Sequence, residues 1–198
     1  MSALPQHQWT AAEYLTFERE STVKHEFIDG QVVAMSGASR NHNLIAGNVT
    51  GLMFNQLAER PCEHYPSDMR VHVPATGLYT YPDVSVMCGE AELQDDEFDT
   101  LLNPTVIIEV LSRSTERYDR GTKFRDYRSI PSLQQYVLIS QDRPHIEYYT
   151  RQDDGGWLLH DASGLDAVVE LSSIGCKLRL KDVYRKVSFE DEIPTDGS

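Results

Sequence analysis

Cysteine is scarce in this 198-residue chain: Cys62, Cys88 and Cys176 are all there is, an odd number set far apart. That excludes a disulfide-dense secreted scaffold and a zinc site built on paired Cys-x-x-Cys spacing, and the three read as reduced, structural thiols. Long apolar runs are absent as well. None approaches the ~20 residues a membrane helix needs, and the first residues lack a basic stretch followed by an apolar one, so the expectation is a cytoplasmic protein with no membrane partner. Neither an internal repeat nor a Pro/Gly/Ser-rich linker interrupts the sequence. One domain over 1–189 follows, ending in an acidic, disordered tail over 190–198.

Basic residues are also in short supply. Lys and Arg total 18 against 31 Asp and Glu, a formal charge of −13, which argues against a protein that coats nucleic acid by electrostatics alone. The acids are unevenly spread, however. Glu90, Glu92, Asp95, Asp96, Glu97 and Asp99 crowd one decapeptide that reads as a solvated loop, and Glu190, Asp191, Glu192 and Asp196 lie in the tail. Between Ser112 and Arg128 the balance reverses, with Arg113, Arg117, Arg120, Lys123, Arg125 and Arg128 facing only Glu116, Asp119 and Asp126.

What is present reads as a mixed α/β chain, an α+β mixed sheet flanked by helices. Thr10-Ala-Ala-Glu13 has the form of a capping box and opens a short helix, and Asp29-Gly30 between Phe27-Ile28 and Val32-Val33 marks a tight hairpin. Leu44, Ile45, Val49, Leu52, Met53 and Leu57 recur at helical spacing before Pro61, giving a long core helix over Asn43–Leu57. Strands are expected over Glu63–Val73, Tyr81–Met87 and Thr105–Leu111. A helix bearing Tyr118, Phe124 and Tyr127 then ends before Pro131, with Gly121 inside it costing ~1 kcal/mol. Short strands follow at Leu133–Ser140, Ile146–Thr150, Trp157–His160, Val168–Leu171 and Cys176–Leu180.

One residue breaks this pattern. Val106, Ile107, Ile108, Val110 and Leu111 are the composition of a strand buried on both faces, yet Glu109 sits among them. An ionised carboxylate there costs several kcal/mol unless a cation or several donors compensate it. Tyr81-Pro82-Asp83-Val84 places a second acid directly before an alternating segment. Asp83 and Glu109 at the ends of neighbouring strands, with the Val110 backbone carbonyl beside them, supply the hard oxygen ligands that Mg²⁺ prefers and leave positions for water and a phosphate. Lys123, on the following helix, is the candidate to orient that water. Plainer readings stand beside these: Glu109 in a structural ion pair, Pro82-Asp83 as a turn, Lys123 in an exposed pair with Asp119 four residues away, Glu26 as a solvated strand residue, and His42 as a hydrogen-bonding group at a helix end.

At these residues the chain resembles the PD-(D/E)xK nuclease superfamily, and within it the bacterial family described as restriction endonucleases. The resemblance runs from Trp9 to Val187 through His25-Glu26-Phe27-Ile28-Asp29-Gly30, the His42 segment, Tyr81-Pro82-Asp83-Val84, Asn103-Pro104, Ile108-Glu109-Val110-Leu111-Ser112, Tyr118-Asp119-Arg120-Gly121 with Lys123, and Ser132-Leu133-Gln134-Gln135-Tyr136. It implies a restriction-endonuclease-like core with Asp83 and Glu109 as metal ligands, Lys123 as the catalytic lysine and Glu26 as the upstream acid. The lysine that the superfamily pattern puts two residues after the acid is Leu111 here, so the resemblance implies a lysine displaced onto the helix; Arg113 stands where the family often has proline, and Ser140 where it often has aspartate. The implied function is Mg²⁺-dependent cleavage of DNA, with Mn²⁺ able to substitute. Arg113, Arg117, Arg120 and His42 would be candidate nucleic-acid contacts, and the protein a homodimer by analogy with enzymes that cut both strands. RNA as substrate, or a nuclease-like module without catalysis, are the alternatives.

Overall fold

Local sequence explains how the chain opens. In the computed structural model, which describes residues 7–189, α1 (Ala11–Glu20) starts at Thr10, whose hydroxyl oxygen accepts the Glu13 N–H at 3.2 Å while the Glu13 carboxylate accepts the Thr10 N–H at 2.8 Å. The capping box is therefore complete. β1 (His25–Ile28) and β2 (Gln31–Ala34) pair across Asp29 and Gly30, at φ 49° and 78°. Both lie in the left-handed region that a two-residue hairpin of this hand requires. α2 (Arg40–Leu57) is capped by Ser39, whose Oγ accepts the His42 N–H at 3.1 Å, and it buries Ile45, Val49, Met53 and Leu57 at four-residue intervals.

The chain continues through β3 (Cys62–Pro66), β4 (Arg70–Val73), β5 (Leu78–Thr80), β6 (Val84–Cys88), β7 (Thr100–Leu101) and β8 (Val106–Leu111). A helical segment follows in three parts: α3 (Glu116–Tyr118), a π turn over Asp119–Lys123, and α4 (Phe124–Tyr127). Then come β9 (Gln135–Ser140), β10 (His145–Arg151), β11 (Trp157–Ser163), β12 (Val168–Leu171), β13 (Cys176–Arg179) and α5 (Leu180–Val183). The large sheet has the order β11-β10-β9-β8-β6-β3, antiparallel except for the parallel pair β8–β9. A smaller sheet has the order β2-β1-β5-β4-β7, and β12–β13 form a hairpin. The fold is mixed α/β, as its sequence pattern indicates.

Alternation along β8 divides the core. Val106, Ile108 and Val110 join α2, β12, β13 and α5 on one face of the large sheet, whereas Ile107 and Leu111 join Tyr127, Tyr136, Leu138 and the small sheet on the other. Glu109 shares the parity of Ile107 and Leu111, so its side chain enters the layer between the two sheets.

Three expectations need correction. The segment Glu63–Val73 is two strands in different sheets, split by a turn at Ser67-Asp68, because Arg70–Val73 pairs with β5 and not with β6. Cys62 and Cys88 are not free thiols: they stand opposite each other in the β3–β6 register and form a disulfide, leaving Cys176 buried and free. The acidic decapeptide is not merely solvated. Asp99 accepts from Arg19 at 2.9 Å and pairs with Arg70 at 2.8 Å, and Asp95 pairs with Arg19 at 2.7 Å, fastening this loop to α1 and β4. Among the described residues no helix is long and apolar enough to cross a membrane. The expected tail over 190–198 lies outside them.

Candidate active site

Register creates the site. Val84 pairs with Ile108, so one step further along the antiparallel ladder Asp83 faces Glu109. The pair is stitched by two bonds: the Val110 N–H donates to Asp83 Oδ2 at 2.7 Å, and the Asp83 N–H donates to Glu109 Oε2 at 3.4 Å. From the small sheet, Phe27 opposite Tyr79 brings Glu26 next to Thr80, whose hydroxyl donates to Glu26 Oε1. The helical segment supplies the cation. Lys123 Nζ lies 2.9 Å from Glu109 Oε1, 3.2 Å from Glu26 Oε1 and 3.7 Å from Asp119 Oδ1.

Lys123 is only 4% exposed, so the reading of it as half of a solvent-exposed helical pair does not hold; Glu26, at 9%, is no solvated strand residue either. His42 does both things its position allows. Its N–H is capped by Ser39 while its ring nitrogen Nε2 sits 3.2 Å from Asp83 Oδ2, so the N-terminus of α2 delivers it to the site. Asp83, Glu109, Lys123, Glu26, His42 and the Val110 backbone are thus brought together.

The arginines are placed differently. Arg113 and Arg117 are exposed, and with Arg120 and Gly121 they line a shallow cleft on the outer side of α3. Arg120 is already engaged by Glu116 at 2.8 Å and by Glu147.

Sequence reasoning missed two members. The Tyr127 hydroxyl donates to Glu109 Oε1 at 2.9 Å with its ring fully buried, and Asp119, 3% exposed, adds a further acid. Tyr127 follows Lys123 by four residues and Asp119 precedes it by four, the signal that places all three on one helical face. Tyr118 joins them, its buried hydroxyl without a hydrogen-bond partner among the described residues.

Electrostatically the site is short of positive charge. Glu26, Asp83, Glu109 and Asp119 face one lysine and one histidine. Burial pushes the Glu109 carboxyl above the ordinary range; Lys123 opposes the shift, while Asp119 and Asp83 add to it. Burial raises Asp119 too, against the pull of Lys123. For Lys123, burial favours the neutral amine, but Glu109, Glu26 and Asp119 outweigh it and hold the ammonium well above its usual range. For His42, burial likewise opposes protonation, and Asp83 with the Val110 carbonyl reverses the sign, raising it.

This donor set fits a hard divalent cation. Glu109 Oε1 is taken by Lys123 and Tyr127, whereas among the described residues Oε2 has only the long contact from the Asp83 N–H, and carboxylates outnumber cations around it. Among the described residues no three His, Cys, Asp or Glu side chains form a metal cage by themselves.

A model of the family described as "Uma2: putative restriction endonuclease" matches residues 11–181, most of the chain. The chain belongs to the Uma2 family. Two uncharacterized proteins of Synechocystis sp. resemble it along most of their length: one is 41% identical over 177 residues, 89% of this chain and 92% of its own, and the other 40% identical over 163 residues, 82% and 92%. A crystal structure of a putative nuclease belonging to DUF820 from Anabaena variabilis superposes with a TM-score of 0.71 at 19% identity, covering 87% of this chain and 96% of that one. That likeness establishes a nuclease-like fold, and membership of the Uma2 family supports a nuclease acting on nucleic acid.

Proposed function

We propose that this Uma2 protein is a Mg²⁺-dependent endonuclease that hydrolyses phosphodiester bonds in DNA. The observation that carries the reading is the cluster of half-buried Asp83 with buried Glu109 and Lys123, assembled from the residue before β6, a residue of β8 and the helical segment that follows. Asp83, Glu109 and the Val110 carbonyl would hold Mg²⁺, or Mn²⁺ in its place, which supplies Lewis-acid activation of water and offsets charge on the phosphate. Lys123, its amine fixed between Glu109 and Glu26, directs a water toward phosphorus and stabilises the negative charge that develops there. Glu26 and Tyr127 act through that pair, holding lysine and carboxylate in orientation, and His42 does the same for Asp83. Arg113 and Arg117, exposed beside the site, meet the phosphate backbone.

A second reading has one observation in its favour. The Lys123 side chain is 5% exposed and shared by three carboxylates, the arrangement of a structural ion cluster in a nuclease-like module that binds nucleic acid without cutting it. Incubation with Mg²⁺ and duplex, single-stranded or branched DNA, with RNA in parallel, separates the two. Metal-dependent cleavage lost in a folded Glu109→Ala variant establishes the enzyme. No cleavage of any substrate, together with no rise in melting temperature on adding Mn²⁺ to the wild type, leaves the module. We further propose a homodimer, which cuts both strands by pairing two sites; sedimentation showing only monomer at micromolar concentration refutes it.

A further inference from the structure

One residue beyond Lys123 the same helical segment turns to a different task. The Phe124 ring stacks on Tyr149 of β10 with centroids 4.1 Å apart and meets Trp157 of β11 edge-on at 5.5 Å. Arg151 lies over the Trp157 ring at 4.7 Å, anchored by the backbone carbonyls of Leu133, Arg128 and Ile130. Between this aromatic wall and the turn of the β10–β11 hairpin is an open cleft of about 530 Å³, whose rim carries Arg125 and Arg128. A volume of roughly 300–1,000 Å³ suits a ligand the size of a nucleotide.

Two features say what such a cleft takes. In a chain of net charge −13, its lining includes two arginines and no acid. Asp154, in the adjacent turn, is committed to the Gly156 N–H at 2.8 Å, and Asp126 is buried against Arg125 at 3.1 Å. The apolar wall consists of aromatic rings, part-exposed rather than sealed into the core. Aromatic faces beside arginines are how proteins hold unpaired nucleotides, the base against a ring and the phosphate on a guanidinium.

We propose that the cleft between Phe124–Ser129 and the β10–β11 turn is a nucleic-acid subsite separate from the carboxylate cluster, holding an unpaired nucleobase against Trp157 and Tyr149 with its phosphates on Arg125 and Arg128. The inference rests on the reading of this chain as a protein that acts on nucleic acid, and it narrows the substrate: a strand must be single, frayed or unstacked next to the site to fill it. Arg113 and Arg117, in the role proposed above, would meet phosphates alone and would not discriminate in this way.

The chain contains two tryptophans, so in a Trp9→Phe background Trp157 is the sole indole reporter. The full-length protein in EDTA is titrated with a single-stranded DNA of about eight nucleotides, a length within the span such sites accommodate. Saturable quenching of Trp157 is expected, with the same strand in RNA run beside it to show which sugar binds tighter. A perfectly paired blunt duplex and inorganic phosphate are expected to leave the fluorescence unchanged. Arg128 is exposed, and among the described residues its side chain makes no hydrogen bond or ion pair, so Arg128→Ala is expected to remain folded and to lower the slope of log affinity against log salt by about 0.7. Tyr149→Ala is expected to weaken binding about ten-fold. Quenching by duplex or phosphate equal to that by the single strand overturns the subsite, as does an Arg128→Ala variant with unchanged affinity and salt slope. Cleavage by a protein whose Trp157 does not respond overturns the subsite alone; a responsive Trp157 in a protein that never cleaves leaves the subsite and removes the enzyme.

Discussion

Glu109 and Lys123 touch at 2.9 Å, yet their removal has opposite consequences for stability. Lys123 is the cation for Glu109, Glu26 and Asp119 together, so Lys123→Met leaves three buried acids uncompensated and is expected to cost about 3–5 kcal/mol in chemical denaturation. Glu109 is one of three acids crowded around that lysine, and burial already works against its charge. Glu109→Gln in metal-free protein is therefore expected to be neutral or stabilising by about 1 kcal/mol while abolishing cleavage and any melting shift with Mn²⁺. Equal destabilisation by the two variants would identify a simple structural ion pair and defeat the metal-site reading. Glu109 stood out because it is an acid where an apolar strand pattern leaves no room for one, and Asp83, which reads alone as part of a turn, stood out only beside Glu109. Lys123 was a candidate from its place on the helix after that strand, and the family resemblance added to it, but its burial was not foreseen. Its burial depends on which way the helix faces, and neither composition nor spacing determines that.

The helical segment between β8 and β9 carries the next lesson. Gly121 signals a weak point in a helix, and the structure places a π turn around it, so that Asp119 and Lys123 both point inward where an exposed pair was the simpler expectation. A π turn leaves no pattern in apolar spacing over so few residues. Cβ atoms added at Gly121 meet nothing within 4 Å, and its backbone is not in the left-handed region, so Gly121→Ala is expected to raise stability by about 0.5–1 kcal/mol, read as a higher melting temperature. The short strands β4, β5 and β7 were invisible or merged for a related reason: two to four residues are too few to show alternation, and β5 and β7 also pair with β1 and β4 far along the chain. The hairpin at Asp29-Gly30 and the caps at Thr10 and Ser39 are local, and the first two could be read residue by residue.

For the whole molecule, two long-range ties matter beyond the core. Arg19 and Arg70 hold Asp99 well below the ordinary carboxylate range despite the opposing effect of burial. A carboxyl depressed in the folded state stabilises above its unfolded value and loses that contribution as pH falls toward its folded one. Asp99→Asn is thus expected to lower stability by about 1 kcal/mol at pH 7, a modest figure because the pair is partly solvated, with the difference from wild type closing below about pH 3. Melts at the two pH values check it, and a difference independent of pH refutes the linkage. The second tie is the disulfide, which sequence separation hid because only the β3–β6 register brings Cys62 opposite Cys88. Cys62→Ser/Cys88→Ser is expected to cost about 3 kcal/mol, the value for closing a loop of this size, in denaturant titrations without reductant. Finally, β8 and β9 are parallel neighbours, and the connection between them is the segment that bears Lys123. The chain cannot seat β9 beside β8 without carrying the lysine across the sheet, so closing the centre of the fold and neutralising Glu109 are one event in time. During synthesis from the N-terminus, the strand bearing Glu109 emerges before its counter-charge, and the carboxylate remains hydrated until the crossover arrives.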